Sequence, residues 1–248
     1  MAKKRSPELH DEGPGYFHES KSFATSIVSM LPLVVIYHCG IVQSGYAQRN
    51  MAELWLAGPL RLIGLEAASV LNIILIVALV AVLWRGDRAS SFHWLVLPAM
   101  VAEGAFYAAA LYRGGPVVAG ALDERASRVL FAIGLEHAAP LLLALGAGVY
   151  EELFFRLLLI GGGAWVLHRL CGWGRIWSAG VMLVASSVLF SLVHYMGPLG
   201  EPVRTYSFLF RTVCGLLLGV VFLTRGLGVA VWTHATYNAM ALLLYAGG

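Results

Sequence analysis

Long apolar runs separated by short polar segments dominate the pattern of this 248-residue chain. Each run is close to the length of about 20 residues that an α-helix needs to cross a bilayer. The pattern therefore predicts an all-α membrane protein, a polytopic bundle of about eight transmembrane helices. The predicted spans cover residues 22–42, 65–84, 92–112, 129–148, 149–168, 176–196, 205–224 and 227–246.

Two segments do not fit this spacing. Residues 1–21 are hydrophilic and carry charged residues, Pro and Gly, which predicts a flexible N-terminal tail. Residues 46–64 mix Trp, Pro and Arg with apolar positions, and we expect part of this segment to lie along the membrane interface. The N-terminal helices within residues 22–128 carry no motif that indicates a function.

The stretch 129–168 is apolar almost throughout, and Pro140, Gly146 and Gly148 interrupt it. These residues allow either two helices joined by a tight turn or one bent helix with a re-entrant piece. The sequence leaves both arrangements open. The distribution of Arg and Lys between the loops leaves the orientation in the membrane open as well.

Composition supports the membrane location. Hydrophobic residues make up 59% of the chain and charged residues 12%, whereas about 25% of an ordinary soluble domain is charged. The net charge of +3 comes from scattered Lys and Arg, so no concentrated basic patch indicates a nucleic-acid partner. The three cysteines show no CxxC spacing, which argues against a disulfide framework and against a thiolate zinc site.

Charged residues inside the apolar runs are the first functional signal, because each costs about 2.5 to 3.5 kcal/mol near the centre of a membrane helix. Glu152 and Arg156 stand four residues apart and share a helix face, whereas Glu151 is rotated by about 100° from Glu152. Arg156 is thus expected to neutralise Glu152. A purely structural Glu–Arg pair would explain those two residues but would leave Glu151 without a partner.

Two histidines on other predicted spans complete the polar set. Phe190 precedes His194 by four residues and would pack against its imidazole, and Asn238 follows His234 by four residues and would project beside it as a second hydrogen-bond donor. One Glu, two His and one Asn can supply a general base, a proton donor and a polarising pair. This is the minimum set for hydrolysis of an amide by water.

Two alternatives remain open on the residues alone. Glu151, His194 and His234 form the His2Glu ligand type of many catalytic zinc sites, which suggests a zinc-dependent intramembrane metalloprotease, although the HExxH spacing is absent. A transporter or scaffold that buries polar residues, among them Glu103 and Glu136, is the second alternative.

At these residues the chain resembles the CAAX-protease and bacteriocin-processing family of intramembrane glutamic endopeptidases. Its members carry EExxxR, FxxxH and HxxxN in this order. The corresponding segments here are Glu151-Glu152-Leu-Phe-Phe-Arg156, Phe190-Ser-Leu-Val-His194 and His234-Ala-Thr-Tyr-Asn238.

The resemblance implies a catalytic core at residues 129–248 whose helices enclose a polar, water-filled cavity, with neither a prosthetic cofactor nor a metal. It implies that Glu151 with His194 activates water, that His234 with Asn238 binds the oxyanion, and that Glu152 with Arg156 supports the site. The implied partners are the lipid bilayer and a membrane-anchored protein or peptide substrate, cleaved near its C-terminus. The compact chain predicts a prokaryotic protein of the cytoplasmic membrane.

Overall fold

All regular structure that the computed structural model describes is helical; it describes residues 15–43, 49–62, 64, 75–77, 80, 94–122, 139–196, 200 and 202–245. The helices are α1 (Tyr16–Glu19), α2 (Phe23–Gln43), α3 (Met51–Arg61), α4 (Val96–Leu122), α5 (Ala139–Glu151), the π-helix π1 (Glu152–Gly162), α6 (Gly163–Arg169), α7 (Arg175–Val193), α8 (Thr205–Arg225) and α9 (Leu227–Tyr245). This architecture and the apolar spans make the chain an all-α membrane protein.

Helix α9 is the centre of the bundle and packs against α2, α4, α5, α8 and π1. Its inward residues are small or β-branched; Val229, Ala230 and Val231 are fully buried. Gly148 of α5 lies so close to Ala235 of α9 that a Cβ at position 148 would stand 2.7 Å from Ala235 backbone atoms. The helices that carry Glu151 and His234 are therefore in close contact at their backbones.

Residues 139–169 form one uninterrupted helical segment in which α5, π1 and α6 follow each other without a turn. Of the two arrangements that the sequence left open for residues 129–168, two helices joined by a tight turn do not fit the described part; residues 129–138 lie outside the described residues. Gly146 and Gly148 do not make a turn. They give room instead to the Tyr37 ring and to Ala235, because a side chain at either position would overlap these neighbours.

Three of the described helices, α2, α7 and α8, are long and apolar enough to cross a membrane. They coincide with the predicted spans 22–42, 176–196 and 205–224. Helix α7 also turns large apolar side chains outward, with Ile176 and Trp177 mostly exposed, as expected for a surface that faces lipid.

The remaining predicted spans agree with the helices to different degrees. Helix α4 begins near the predicted span 92–112 but continues to Leu122, and α9 corresponds to the predicted span 227–246. Most of the span 65–84 lies outside the described residues. The total of about eight spans stays a prediction.

Residues 15–21, the described part of the predicted flexible N-terminal tail, pack against the helix bundle. The Tyr16 hydroxyl donates to Oε2 of Glu103 in α4, and Nε of Arg225 at the end of α8 lies 2.5 Å from Oε1 of the same carboxylate. Arg225 also donates to Ser20 at 3.0 Å. The buried Arg225 charge needs these partners, and they hold residues 15–21 in place; residues 1–14 lie outside the described residues. Burial and the Glu103 carboxylate raise the pKa of Tyr16 to about 12, so its hydroxyl keeps its proton at neutral pH.

Helix α3 packs on the bundle instead of only lying along the interface as its mixed sequence predicted. Ala52, Glu53 and Ala57 are buried, and the helix contacts α5. The Trp55 ring centroid lies 5.5 Å from that of Phe154 in π1. The N-terminus of α3 is thereby brought next to the junction of α5 and π1, where Glu151 and Glu152 lie.

Candidate active site

Three parts of the bundle supply the seven residues that the sequence singled out. The junction of α5 and π1 carries the acidic pair and its arginine, the C-terminal end of α7 carries the phenylalanine and the first histidine, and α9 carries the second histidine and the asparagine. The residues are Glu151, Glu152, Arg156, Phe190, His194, His234 and Asn238.

Glu152 is the buried centre of a three-residue cluster. Its Oε1 lies 2.9 Å from Nη1 of Arg156 and 2.7 Å from Nδ1 of His234. All three side chains are almost completely buried, and Arg156 also donates to the carbonyl oxygen of Gly215 at 3.2 Å. The predicted pairing of Glu152 with Arg156 is confirmed. A carboxylate paired with Arg accepts hydrogen bonds only, so Nδ1 of His234 carries a proton and Nε2 is left to face the site.

Arg156 pairs with Glu152 and not with Glu151, as the sequence predicted. Oε2 of Glu151 lies 3.9 Å from Nε2 of His234, and its Oε1 accepts a hydrogen bond from Nδ2 of Asn50 at 3.3 Å. The side chain of Glu151 is 16% exposed, whereas that of Glu152 is fully buried. Glu151 is thus the carboxylate of the pair that solvent can reach.

His194 is oriented by its own helix end. Its Nδ1 lies 2.6 Å from the carbonyl oxygen of Phe190, which can only accept, so Nδ1 carries a proton and Nε2 of a neutral ring is an acceptor. The charge of Glu151 acts on this imidazole. Within the described part of the chain, Nε2 of His194 is therefore the ring nitrogen without a bond.

Phe190 separates the two histidines and contacts both. Its ring centroid lies 5.0 Å from that of His194, as the FxxxH spacing predicted, and 5.9 Å from that of His234. The Arg156 guanidinium lies over the same ring at 4.9 Å. This aromatic ring fixes the relative position of the site's imidazoles and its buried cation.

The amide of Asn238 makes a contact that the sequence did not predict. Its Nδ2 donates to the carbonyl oxygen of Ala144 in α5 at 3.3 Å. An amide nitrogen has two protons, so one remains for another acceptor. The role beside His234 stays a prediction.

Sequence reasoning missed two residues. Asn50 contacts Glu151 from a segment that carries no motif, and no spacing signal could have found a contact across 101 positions. Arg211 is buried in α8, donates to Ser207 at 2.7 Å, and its charge acts on His194. A cation in the middle of the apolar run 205–224 was the signal for Arg211.

Comparison with protein families now adds to this geometry. Residues 134–240 match the family model of type II CAAX prenyl endopeptidase Rce1-like proteins. They form an Rce1-like domain. This agrees with the family resemblance of the three motifs, all of which lie inside the Rce1-like segment.

The Rce1-like match covers less than half of the chain, and α1, α2, α3 and α4 lie outside it. The comparisons with curated proteins and with solved structures found no match.

The positions of the possible metal ligands are also relevant to the zinc metalloprotease alternative. Among the described residues, no three His, Cys, Asp or Glu side chains are grouped so that they could hold a metal ion. The Nδ1 atoms of His194 and His234 are both bonded to protein oxygens, which leaves one nitrogen of each ring for chemistry.

Proposed function

We propose that this Rce1-like protein is an intramembrane glutamic endopeptidase that hydrolyses a peptide bond of a membrane-anchored protein or peptide near its C-terminus. One observation carries the proposal. Two adjacent glutamates have opposite environments: Glu152 is neutralised by Arg156, whereas Glu151 is partly exposed and faces His234 at 3.9 Å. An acid beside imidazoles in a membrane bundle is the arrangement that general-base hydrolysis requires.

In the proposed reaction, a water molecule lies between Glu151 and Nε2 of His194, and its oxygen attacks the peptide carbonyl while Glu151 takes one of its protons. The C–N bond then breaks, and the proton passes to the leaving amine. Hydrogen bonds from Asn238 and from Nε2 of His234 stabilise the negative oxygen of the intermediate. For Nε2 to donate, His234 must carry both ring protons, and the carboxylates of Glu151 and Glu152 flank it with the opposite charge.

The two alternatives make different demands on the same residues. A zinc enzyme needs Glu151, His194 and His234 as joint ligands, and the grouping of the described side chains does not favour that set. A transporter needs flux without cleavage. The prokaryotic cytoplasmic membrane and the identity of the substrate stay predictions.

A comparison of C-termini tests the proposed function. Membrane-associated proteins from cells that express the wild type, Glu151→Gln or His194→Ala are analysed by mass spectrometry for new C-termini. Both variants should lose every wild-type-dependent C-terminus while they accumulate and remain folded as the wild type does. His168→Ala is the matched control, because His168 lies in α6 and its bonds within the described part of the chain go to the loop at Trp173 and to Arg175. Processing by either site variant at the wild-type level would refute the assignment.

A further inference from the structure

Asn50 connects the N-terminal helices to the candidate base. It immediately precedes α3, and its Oδ1 accepts the backbone N–H of Ala52 at 2.8 Å, the bond of a helix N-cap. A backbone N–H can only donate, so this bond fixes the orientation of the amide. Nδ2 is therefore the atom that points to Oε1 of Glu151 at 3.3 Å, and it donates.

Buried neighbours hold Asn50 in this position. Its backbone N–H donates to the Tyr37 hydroxyl at 3.0 Å, and that hydroxyl donates to Oε2 of Glu53 at 2.6 Å. Tyr37 and Glu53 are almost completely buried. Arg49 lies 3.5 Å from Oε1 of Glu53 and completes the network. The amide is thus presented to Glu151 from a packed scaffold that joins α2 to the start of α3.

The two oxygens of Glu151 have different surroundings as a result. Oε1 is held by Asn50, and Oε2 faces Nε2 of His234 at 3.9 Å, beyond direct hydrogen-bond range. A carboxylate held by one oxygen keeps its other oxygen in a fixed position for a water molecule.

We propose that Asn50 is a positioning residue for the Rce1-like site: its amide fixes the rotamer of Glu151 so that Oε2 is directed to the attacking water. This inference rests on the proposed function of Glu151. It makes the start of α3, which lies outside the matched residues 134–240, a part of the catalytic apparatus.

A substitution can distinguish the capping role of Asn50 from its positioning role. Capping uses Oδ1 alone, and Ser is about as good an N-cap as Asn. Ser has no amide nitrogen to reach Glu151. A merely structural Asn50 predicts that Asn50→Ser behaves as the wild type, whereas a positioning Asn50 predicts a loss of turnover without a loss of stability.

The experiment compares purified wild type, Asn50→Ser and His168→Ala in nanodiscs. The probe is an internally quenched peptide with an N-terminal palmitoyl anchor, chosen as the best-cleaved member of a library with randomised C-terminal residues. We expect kcat of Asn50→Ser to fall about 10- to 100-fold with KM within about twofold of the wild type and with little change in the melting temperature. Wild-type kcat in Asn50→Ser would overturn the proposal.

Absence of cleavage by the wild type would refute the proposed function itself. A double-mutant cycle on thermal stability tests the contact between Asn50 and Glu151 even in that case. Asn50→Asp keeps the cap but places a second carboxylate against Glu151. It should lower the melting temperature by about 2 to 4 °C in the wild type and by less than half of that in the Glu151→Gln background, because Gln can donate to the new carboxylate. Equal decreases in the two backgrounds would show that Asn50 does not act on Glu151.

Discussion

Nδ1 of His234 and Nη1 of Arg156 contact the same oxygen of Glu152, at 2.7 Å and 2.9 Å. Glu152 thus neutralises the buried guanidinium and also fixes the ring of the proposed oxyanion donor. The second glutamate of the EExxxR motif is therefore tied to both the stability of the bundle and the chemistry of α9. Its neighbour Glu151 does not pair with Arg156 and lies 3.9 Å from His234.

Glu152→Gln should lower stability and activity together. The substitution leaves Arg156 buried without its counter-charge, and breaking a buried pair costs about 3 to 5 kcal/mol. The neutral amide also bonds His234 less strongly than a carboxylate does. Thermal unfolding of the purified variant, followed by intrinsic Trp fluorescence, should show a clearly lower midpoint than the wild type.

Glu151→Gln is the matched control for that measurement, because Glu151 is partly exposed and does not pair with Arg156. It should unfold at a temperature close to that of the wild type and be inactive. If Glu152→Gln were instead fully stable and only inactive, the assignment of roles to the two glutamates would have to be exchanged.

Gly148→Ala should destabilise the contact between α5 and α9. The added Cβ would stand 2.6 Å from the Ala235 Cβ and 2.7 Å from its backbone atoms, so one of the helices must move. Overpacking of this kind costs about 1 to 3 kcal/mol. Because Glu151 follows Gly148 on α5 and His234 precedes Ala235 on α9, turnover should fall as well.

Gly180→Ala in α7 serves as the control for Gly148→Ala, because none of the residues that the structure describes lies within 4 Å of its added Cβ. The change from Gly to Ala within an open helix should be neutral or stabilise by about 0.5 to 1 kcal/mol. Equal thermal midpoints for the two variants would show that α5 and α9 are not in backbone contact.

Arg225→Met should weaken the attachment of the N-terminal segment without changing the catalytic site. Arg225 bonds Glu103 and Ser20 and lies 4.3 Å from the Phe17 ring centroid. The loss of the cation leaves Glu103 without its counter-charge and should lower the thermal midpoint. Limited proteolysis should then cut residues 15–22 faster, while kcat of the folded protein stays close to that of the wild type.

Thr224→Ala changes the exposed neighbour of Arg225 and is the control for this effect. An unchanged cleavage rate of residues 15–22 in Arg225→Met would contradict the proposed anchoring of α1.

Local sequence patterns predicted the contacts between side chains that lie on the same helix. The Glu152–Arg156 pair and the Phe190–His194 contact follow from a separation of four residues, and both were correct. The helix period did not reveal that π1 begins at Glu152 and continues the helix of α5. Wider turns of this type are rare and occur often at functional sites, but they have no simple residue signature.

Contacts between distant segments could not be predicted in the same way. The bond from His234 to Glu152 spans 82 positions and depends on how closely α9 approaches α5. The Asn50 contact depends on the packing of α3, whose mixed sequence indicated an interfacial segment. Pattern and spacing indicate which residues share a helix face. Which helix faces pack against each other depends on side-chain size, as at Gly148, where the missing side chain makes room for Ala235.

The last prediction separates glutamic from zinc chemistry. In the proposed mechanism His234 uses Nδ1 for Glu152 and Nε2 for the oxyanion, so neither nitrogen is left for a metal. Purified protein should contain well under one zinc per chain by elemental analysis and should keep its activity after exhaustive chelation.

Asn238→Ala should lose activity, by about 10²- to 10³-fold in turnover if Asn238 is an oxyanion donor, without any change in metal content. Stoichiometric zinc whose removal abolishes cleavage and whose return restores it would replace this mechanism with a metalloprotease on the same residues. Proton-coupled flux that depends on Glu151, in the absence of any cleavage, would instead support the transporter alternative.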